Sequence, residues 1–178
     1  YGVNEKIFPA AGDAGGALGA ALALWHIEQN QIRKINLKDD MKGSYLGPEY
    51  LQSEIESQLN ELGAKYKVLK EEEVIKNTVN DLTKGKAVGW FQGRMEFGPR
   101  ALGARSILAD ARSSSMQKKL NLKVKYRESF RPFAPSVLRE DVSQWFHLNS
   151  DSPYMLLVSN VEEKKCIEMD SNQKNYLV

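Results

Sequence analysis

Apolar positions change their period several times along the chain, and each change predicts an element. From Ala14 to about Asn30 an Ala- and Leu-rich stretch reads as a helix, with Asp13 near its start as a candidate N-cap. Residues 31–50 carry mixed charge, Gly43, Gly47 and Pro48, and no period, which predicts a connecting segment. From Leu51 the spacing of Ile55, Leu59 and Leu62 puts three apolar side chains on one helical face, closed at Gly63. "AKYKVL" (64–69) then alternates as a strand does. Glu71 to Lys84 predicts a helix with acids in its first turn and Gly85 at its end, and "AVGWF" (87–91) a short buried strand. "SILAD" predicts a further strand, Ser114 to Lys123 a helix with serines to cap it, and Pro132 and Pro135 bar a helix around them. A short helix at Asp141 to Trp145 and a strand at Tyr154 to Val161 complete the pattern; the tail shows no core pattern. Alternating helices and strands predict an α/β or α+β layered domain.

Composition adds limits. The chain has 178 residues, 42% hydrophobic and 27% charged, a soluble globular balance. A chain of this size is expected to bury roughly 70% of its unfolded surface. No apolar run approaches the ~20 residues of a membrane helix, and the N-terminus has no secretion signal, so no membrane role and a cytoplasmic location are expected. Starting at Tyr1, the chain reads as a fragment or processed piece. Cys166 is the one cysteine, so neither an internal disulfide nor a cysteine zinc site is expected.

Charge changes the picture more. Residues 93–139 hold eleven Lys and Arg against three Asp and Glu, a net +8, while 1–92 and 140–178 net −2 and −4. Such a concentration favours an anionic partner. Within it, "GRMEFGPRALGARSI" spaces Gly93, Gly98 and Gly103 five residues apart, with Arg94, Arg100 and Arg105 following them. Glycine turns expose backbone N–H groups, and guanidinium forks bind phosphate or carboxylate bidentately. A second basic stretch, "NLKVKYRESFRPFAP", carries Lys125, Arg127 and Arg131. Neither matches a Walker or dinucleotide fingerprint, so a different phosphate site is implied. Glu96 is the acid of the first loop; it orients an arginine, binds magnesium or makes a plain salt bridge. "SSSMQKKLNLK" reads as a solvated face, His26 and His147 as ordinary residues with no partner at metal spacing, and the three tryptophans as packing residues.

"GWFQGRMEFGPRALGARSILAD", then "NLKVKYRESFRPFAPSVL", with "FPAAGDAGGALGAAL" upstream, resembles the O-carbamoyltransferases of nodulation-factor and antibiotic biosynthesis. The resemblance implies two modules. An actin-like ATPase-type domain passes a carbamoyl group to an acceptor hydroxyl, and a YrdC-like domain forms carbamoyl-adenylate from carbamoyl phosphate and ATP. Residues 1–30 would be the end of the first, 31–45 a linker, and 46–178 a YrdC-like domain, a twisted sheet with flanking helices, incomplete at its C-terminus. Arg100, Lys125 and Arg131 would carry the catalysis. Arg94, Arg105, Arg127, Gly98 and Gly103 would bind substrate and nucleotide, with Mg2+ accompanying ATP. Asp13 matches a ligand for iron or another divalent metal in the complete enzyme.

The family's chains extend further on both sides, and a C-terminal "NTSFN"-type motif that completes the nucleotide site is absent. This chain alone is therefore expected neither to finish the transfer nor to hold metal tightly through Asp13. The competing class is a YrdC-like RNA-binding module without catalysis. Nucleic acid is disfavoured because the sequence shows no interleaved row of exposed aromatics.

Overall fold

A computed structural model of the chain describes residues 12–34 and 39–168. The regular elements are α1 (Asp13–Ala23), α2 (Gln52–Glu61), α3 (Glu71–Thr83), β1 (Val88–Phe91), β2 (Arg105–Leu108), α4 (Met116–Lys123) and α5 (Val142–Trp145). α1 runs on into a wider π-type turn over Leu24–Glu28. Its N-cap is Gly12; Asp13 is the first helical residue, one position later than a cap requires. The Asp13 side chain, residues 1–11 with the start of the "FPAAGDAGG" segment, residues 35–38 and the tail 169–178 lie outside what is described.

α2 and α3 form where the apolar spacing puts them, and both open and close by the same chemistry. Glu54 reaches back to the Leu51 N–H at 2.7 Å and Glu73 to the Lys70 N–H at 3.2 Å, each satisfying a backbone donor just ahead of the helix. At the far ends Ala64 donates to Leu59 (2.9 Å) and Lys86 to Asp81 (3.1 Å), the six-to-one bond of a Schellman cap, with Gly63 and Gly85 at φ 64° and 71°. α4 begins at Met116, and Ser115 before it makes no side-chain cap bond.

β1 and β2 pair antiparallel, Val88 opposite Leu108 through Phe91 opposite Arg105. Among the described residues the result is an α+β arrangement of helices with one two-stranded sheet. Two predicted strands are absent: residues 64–69 and 154–161 form none, apart from an isolated bridge at Val161. Alternation marks a segment that suits a sheet, yet a strand exists only where a neighbour takes its hydrogen bonds. β1 is also not buried: Phe91 is exposed, because a two-stranded ribbon leaves much of its surface uncovered.

The chain divides into two compact units, residues 1–134 with 153–155, and 135–152 with 156–178. In the first, the buried apolar side chains among the described residues are Ala104, Met116 and Leu120, beside three buried polar ones, Ser44, Glu96 and Asn121. This is far less apolar burial than chain length predicts. α2, α3 and the ribbon leave Ile55, Leu62, Val79 and Phe91 exposed, with no second layer over them among the described residues. In the second unit, Arg139 pairs with Asp151, His147 Nε2 lies 3.3 Å from Glu162, and Lys165 sits 4.1 Å from the Trp145 ring centre. Trp145 is thus half exposed under a lysine and not a core packing residue, and His147 stands beside a surface carboxylate. No helix among the described residues is long and apolar enough to cross a membrane.

Candidate functional site

The β1–β2 connection, residues 92–104, is the glycine–arginine loop itself. Gln92 N–H bonds the Ala104 carbonyl at 2.8 Å, so the ladder holds both ends of the loop side by side. Inside it, Glu96 is the organising residue. Its side chain is 0% exposed. Both carboxylate oxygens accept the Leu102 N–H at 3.1 Å, and one also accepts the Ala104 N–H at 3.0 Å. Backbone N–H groups around a carboxylate replace the water it lost on burial. Arg105 Nε stands 3.5 Å from the same carboxylate, while its Nη2 donates to the Gly98 carbonyl and lies 3.5 Å from that of Arg100. Gly98 and Gly103, at φ 105° and 124°, take backbone conformations that a side chain resists.

The three arginines therefore differ in what they touch. Arg94 donates to the Gly47 carbonyl (2.7 Å) and to Glu49 (3.0 Å), and Arg105 is folded into the loop. Arg100 is exposed, and no hydrogen bond or ion pair engages its guanidinium among the described residues. An outer segment braces the loop: Gly47 and Met95 bond at 2.9 Å, Met95 and Pro48 at 2.9 Å, Phe97 and Ser44 at 2.7 Å. The approach is so close that a Cβ on Gly47 would stand 2.8 Å from the Met95 carbonyl oxygen. That segment is itself held by Tyr154, which donates to the Asp39 carboxylate and accepts the Gly43 N–H at 3.2 Å. Burial first, and then the Asp39 carboxylate, push the Tyr154 hydroxyl up to about 12.

The second basic stretch is built on the last turn of α4. Asn121, 0% exposed, donates from Nδ2 to the carbonyls of Ser129 (3.1 Å) and Arg131 (2.8 Å), and accepts Arg127 Nε at 2.6 Å. Gln117, one turn earlier on the same face, donates to the carbonyls of Phe130 and Arg131, both at 3.0 Å. Arg127 lies 4.8 Å from the Phe133 ring centre. Arg131 pairs with Glu128 at 2.8 Å, and Lys125 has no side-chain hydrogen bond or ion pair among the described residues. The α4 helix is not merely a solvated basic face, since Met116, Leu120 and Asn121 are buried on it and Lys119 Nζ donates to the Gly85 carbonyl behind α3.

The sequence disfavours nucleic acid for want of exposed aromatics, and here the structure differs. Tyr126 and Phe130 are 85% and 77% exposed between Lys125 and Arg131. Tucking Arg127 against Asn121 turns its neighbour outward, with Tyr126 at φ 50°. Sequence reasoning missed Asn121 altogether. Its signal was a poor helix former placed four residues after Gln117 in an otherwise basic helix. No hydrogen bond or ion pair joins the two loops among the described residues. No group of three His, Cys, Asp or Glu side chains is placed to hold a metal among those residues, and the Glu96 oxygens are taken up by N–H donors.

Residues 79–174 match the family model described as the carbamoyltransferase C-terminus. The chain is 51% identical to an uncharacterized protein of Synechocystis over 173 residues, 96% of this chain and 28% of that protein. It is 39% identical to nodulation protein NolNO of Sinorhizobium fredii over 170 residues, 92% of this chain and 24% of that one. Over 83 residues, 47% of this chain and 16% of the relative, it is 48% identical to a 3'-hydroxymethylcephem-O-carbamoyltransferase of Streptomyces clavuligerus. The chain spans 28% and 24% of the lengths of the first two.

Proposed function

The chain belongs to the carbamoyltransferase family, and from that premise we propose that it carries the site where carbamoyl phosphate and ATP are held to form carbamoyl-adenylate for an acceptor hydroxyl. The observation that carries this reading is the Arg100 guanidinium, uncommitted at the tip of a loop whose other charges are already satisfied. A cation left unpaired on a hydrogen-bonded loop is available to an anion, and adenylation needs several of them. Carbamoyl phosphate and a triphosphate repel one another, and charge develops on the departing pyrophosphate.

In this reading Arg100 and Lys125 meet the phosphates directly, and Arg131 joins them by leaving Glu128. Arg94, Arg105 and Arg127, with Gly98 and Gly103, shape the two loops that hold substrate and nucleotide. Mg2+ arrives with ATP, and Glu96, with both oxygens engaged, is not its ligand. Asp13 is the residue to test for iron or another divalent metal in the complete enzyme. We assign residues 1–30 to the end of an actin-like domain, 31–45 to a linker and 46–178 to a YrdC-like, cytoplasmic domain.

The test is calorimetric titration of the intact protein with carbamoyl phosphate, with and without magnesium-ATP, at low and moderate salt. Saturable binding that persists at moderate salt is expected, and Arg100→Ala should weaken it by about 1.5–3 kcal/mol with the fold intact. Absence of binding to a folded protein, or an affinity unmoved by Arg100→Ala, overturns the reading. The exposure of Tyr126 and Phe130 beside Lys125 favours one competitor, a single-stranded RNA module. RNA affinity that collapses by orders of magnitude with added salt, with no carbamoyl phosphate binding, would replace the first reading by this one.

A further inference from the structure

Glu96 and Arg105 lace the first loop from opposite sides of its tip. Glu96 stands before the tip and takes N–H groups after it, at Leu102 and Ala104. Arg105 stands after the tip and reaches carbonyls at and before it, Arg100 and Gly98. The carboxylate and the guanidinium face each other at 3.5 Å, the carboxylate wholly buried. Between the laced positions lies the tip, residues 99–101, tied only through the Arg100 carbonyl, and Pro99 further fixes its own φ. The carbonyl of Arg100 lies beside the Arg105 guanidinium, so its backbone is placed while its own guanidinium stays in solvent.

We propose that Glu96 is a positioning residue for Arg100: its buried charge aligns Arg105, and Arg105 in turn presents Arg100 to the anion. This rests on the carbamoyl phosphate reading above and deepens it. A bound anion is then met by an arginine whose backbone is already placed, so only its side chain remains to be ordered on binding. Neither Glu96 nor Arg105 touches the ligand. Arg105 Nε supports the division of labour: it is buried and has no hydrogen-bond partner, held near the carboxylate by charge and not by an aligned bond.

A double-mutant cycle on the intact protein, titrated with carbamoyl phosphate, tests this. Glu96→Gln keeps an acceptor for the backbone N–H groups and removes the charge. It should weaken binding about tenfold when Arg100 is present and less than about twofold in the Arg100→Ala background, because coupled residues lose additivity. A loss of equal size in both backgrounds would mean that Glu96 serves the loop generally, and no loss in a folded Glu96→Gln protein would remove its role; either overturns the proposal. Should Glu96→Gln not fold, Arg105→Lys decides by the same cycle, since it keeps the charge but not the fork to the carbonyls. If the unmutated protein binds no carbamoyl phosphate, both readings fall. If it binds and Arg100→Ala weakens it without coupling to position 96, only the positioning role falls.

Discussion

The two basic loops of the first unit meet the same problem with different materials. Each concentrates cations on a short stretch of irregular backbone, and each is held by one wholly buried polar side chain. In the loop 93–105 that side chain is a carboxylate, Glu96, which gathers N–H groups and faces an arginine. In the stretch 121–131 it is an amide, Asn121, which gathers carbonyls and also binds an arginine. A carboxylate only accepts, whereas an amide both donates and accepts, so each anchor suits the backbone groups its loop turns inward. The difference also sets the charge left outside. Glu96 offsets Arg105 within the loop, while neutral Asn121 offsets nothing and Arg131 turns to Glu128.

The largest effect should follow from removing the charged anchor. Glu96→Ala strands a partly buried guanidinium and the N–H groups of Leu102 and Ala104, at a cost of about 3 kcal/mol. Asn121→Ala should cost less, about 2 kcal/mol, because the carbonyls it releases lie near solvent and water can take them. Urea unfolding of the two variants measures both, and a reversed order would break the comparison. A smaller difference separates their turns. Gly103→Ala puts a Cβ in open space at φ 124°, so its loss of about 1–2 kcal/mol is purely backbone strain. Tyr126→Gly, at φ 50°, should stay within about 1 kcal/mol of the parent, since relief of strain and added chain entropy oppose each other.

The smallest expected effect concerns the brace of the first loop. The Tyr154 hydroxyl ionises at about 12, above its ordinary value near 10, so the folded state favours the neutral phenol. Its contribution to stability is complete below pH 10 and is lost as pH rises toward 12. Asp39→Asn removes the carboxylate while burial remains, so the phenol should titrate lower but still above its ordinary value. Ultraviolet difference titration, with Tyr154→Phe to assign the signal, measures this. A return all the way to the ordinary value would mean that burial contributes nothing.

Local signals located α2, α3, α4 and α5, apolar spacing for α2, first-turn acids for α3 and capping serines for α4, and the glycines at 63 and 85 marked two of their ends, because a helix closes its hydrogen bonds within itself. Clustered basic residues, set among glycines in the first stretch, likewise drew attention to both basic loops without any fold. Strands obeyed a different rule: β1 and β2 found each other, while 64–69, the segment with the alternation of a strand, found no partner. Which arginine stays free was beyond the sequence, since Arg94, Arg100 and Arg105 each follow a glycine in the same loop. Only the tertiary structure decided it, by bringing Gly47 and Glu49 to Arg94 and the Glu96 carboxylate to Arg105. The reason is physical: a side chain's charge is written in its own chemistry, but whether that charge is spent depends on which groups folding brings within reach.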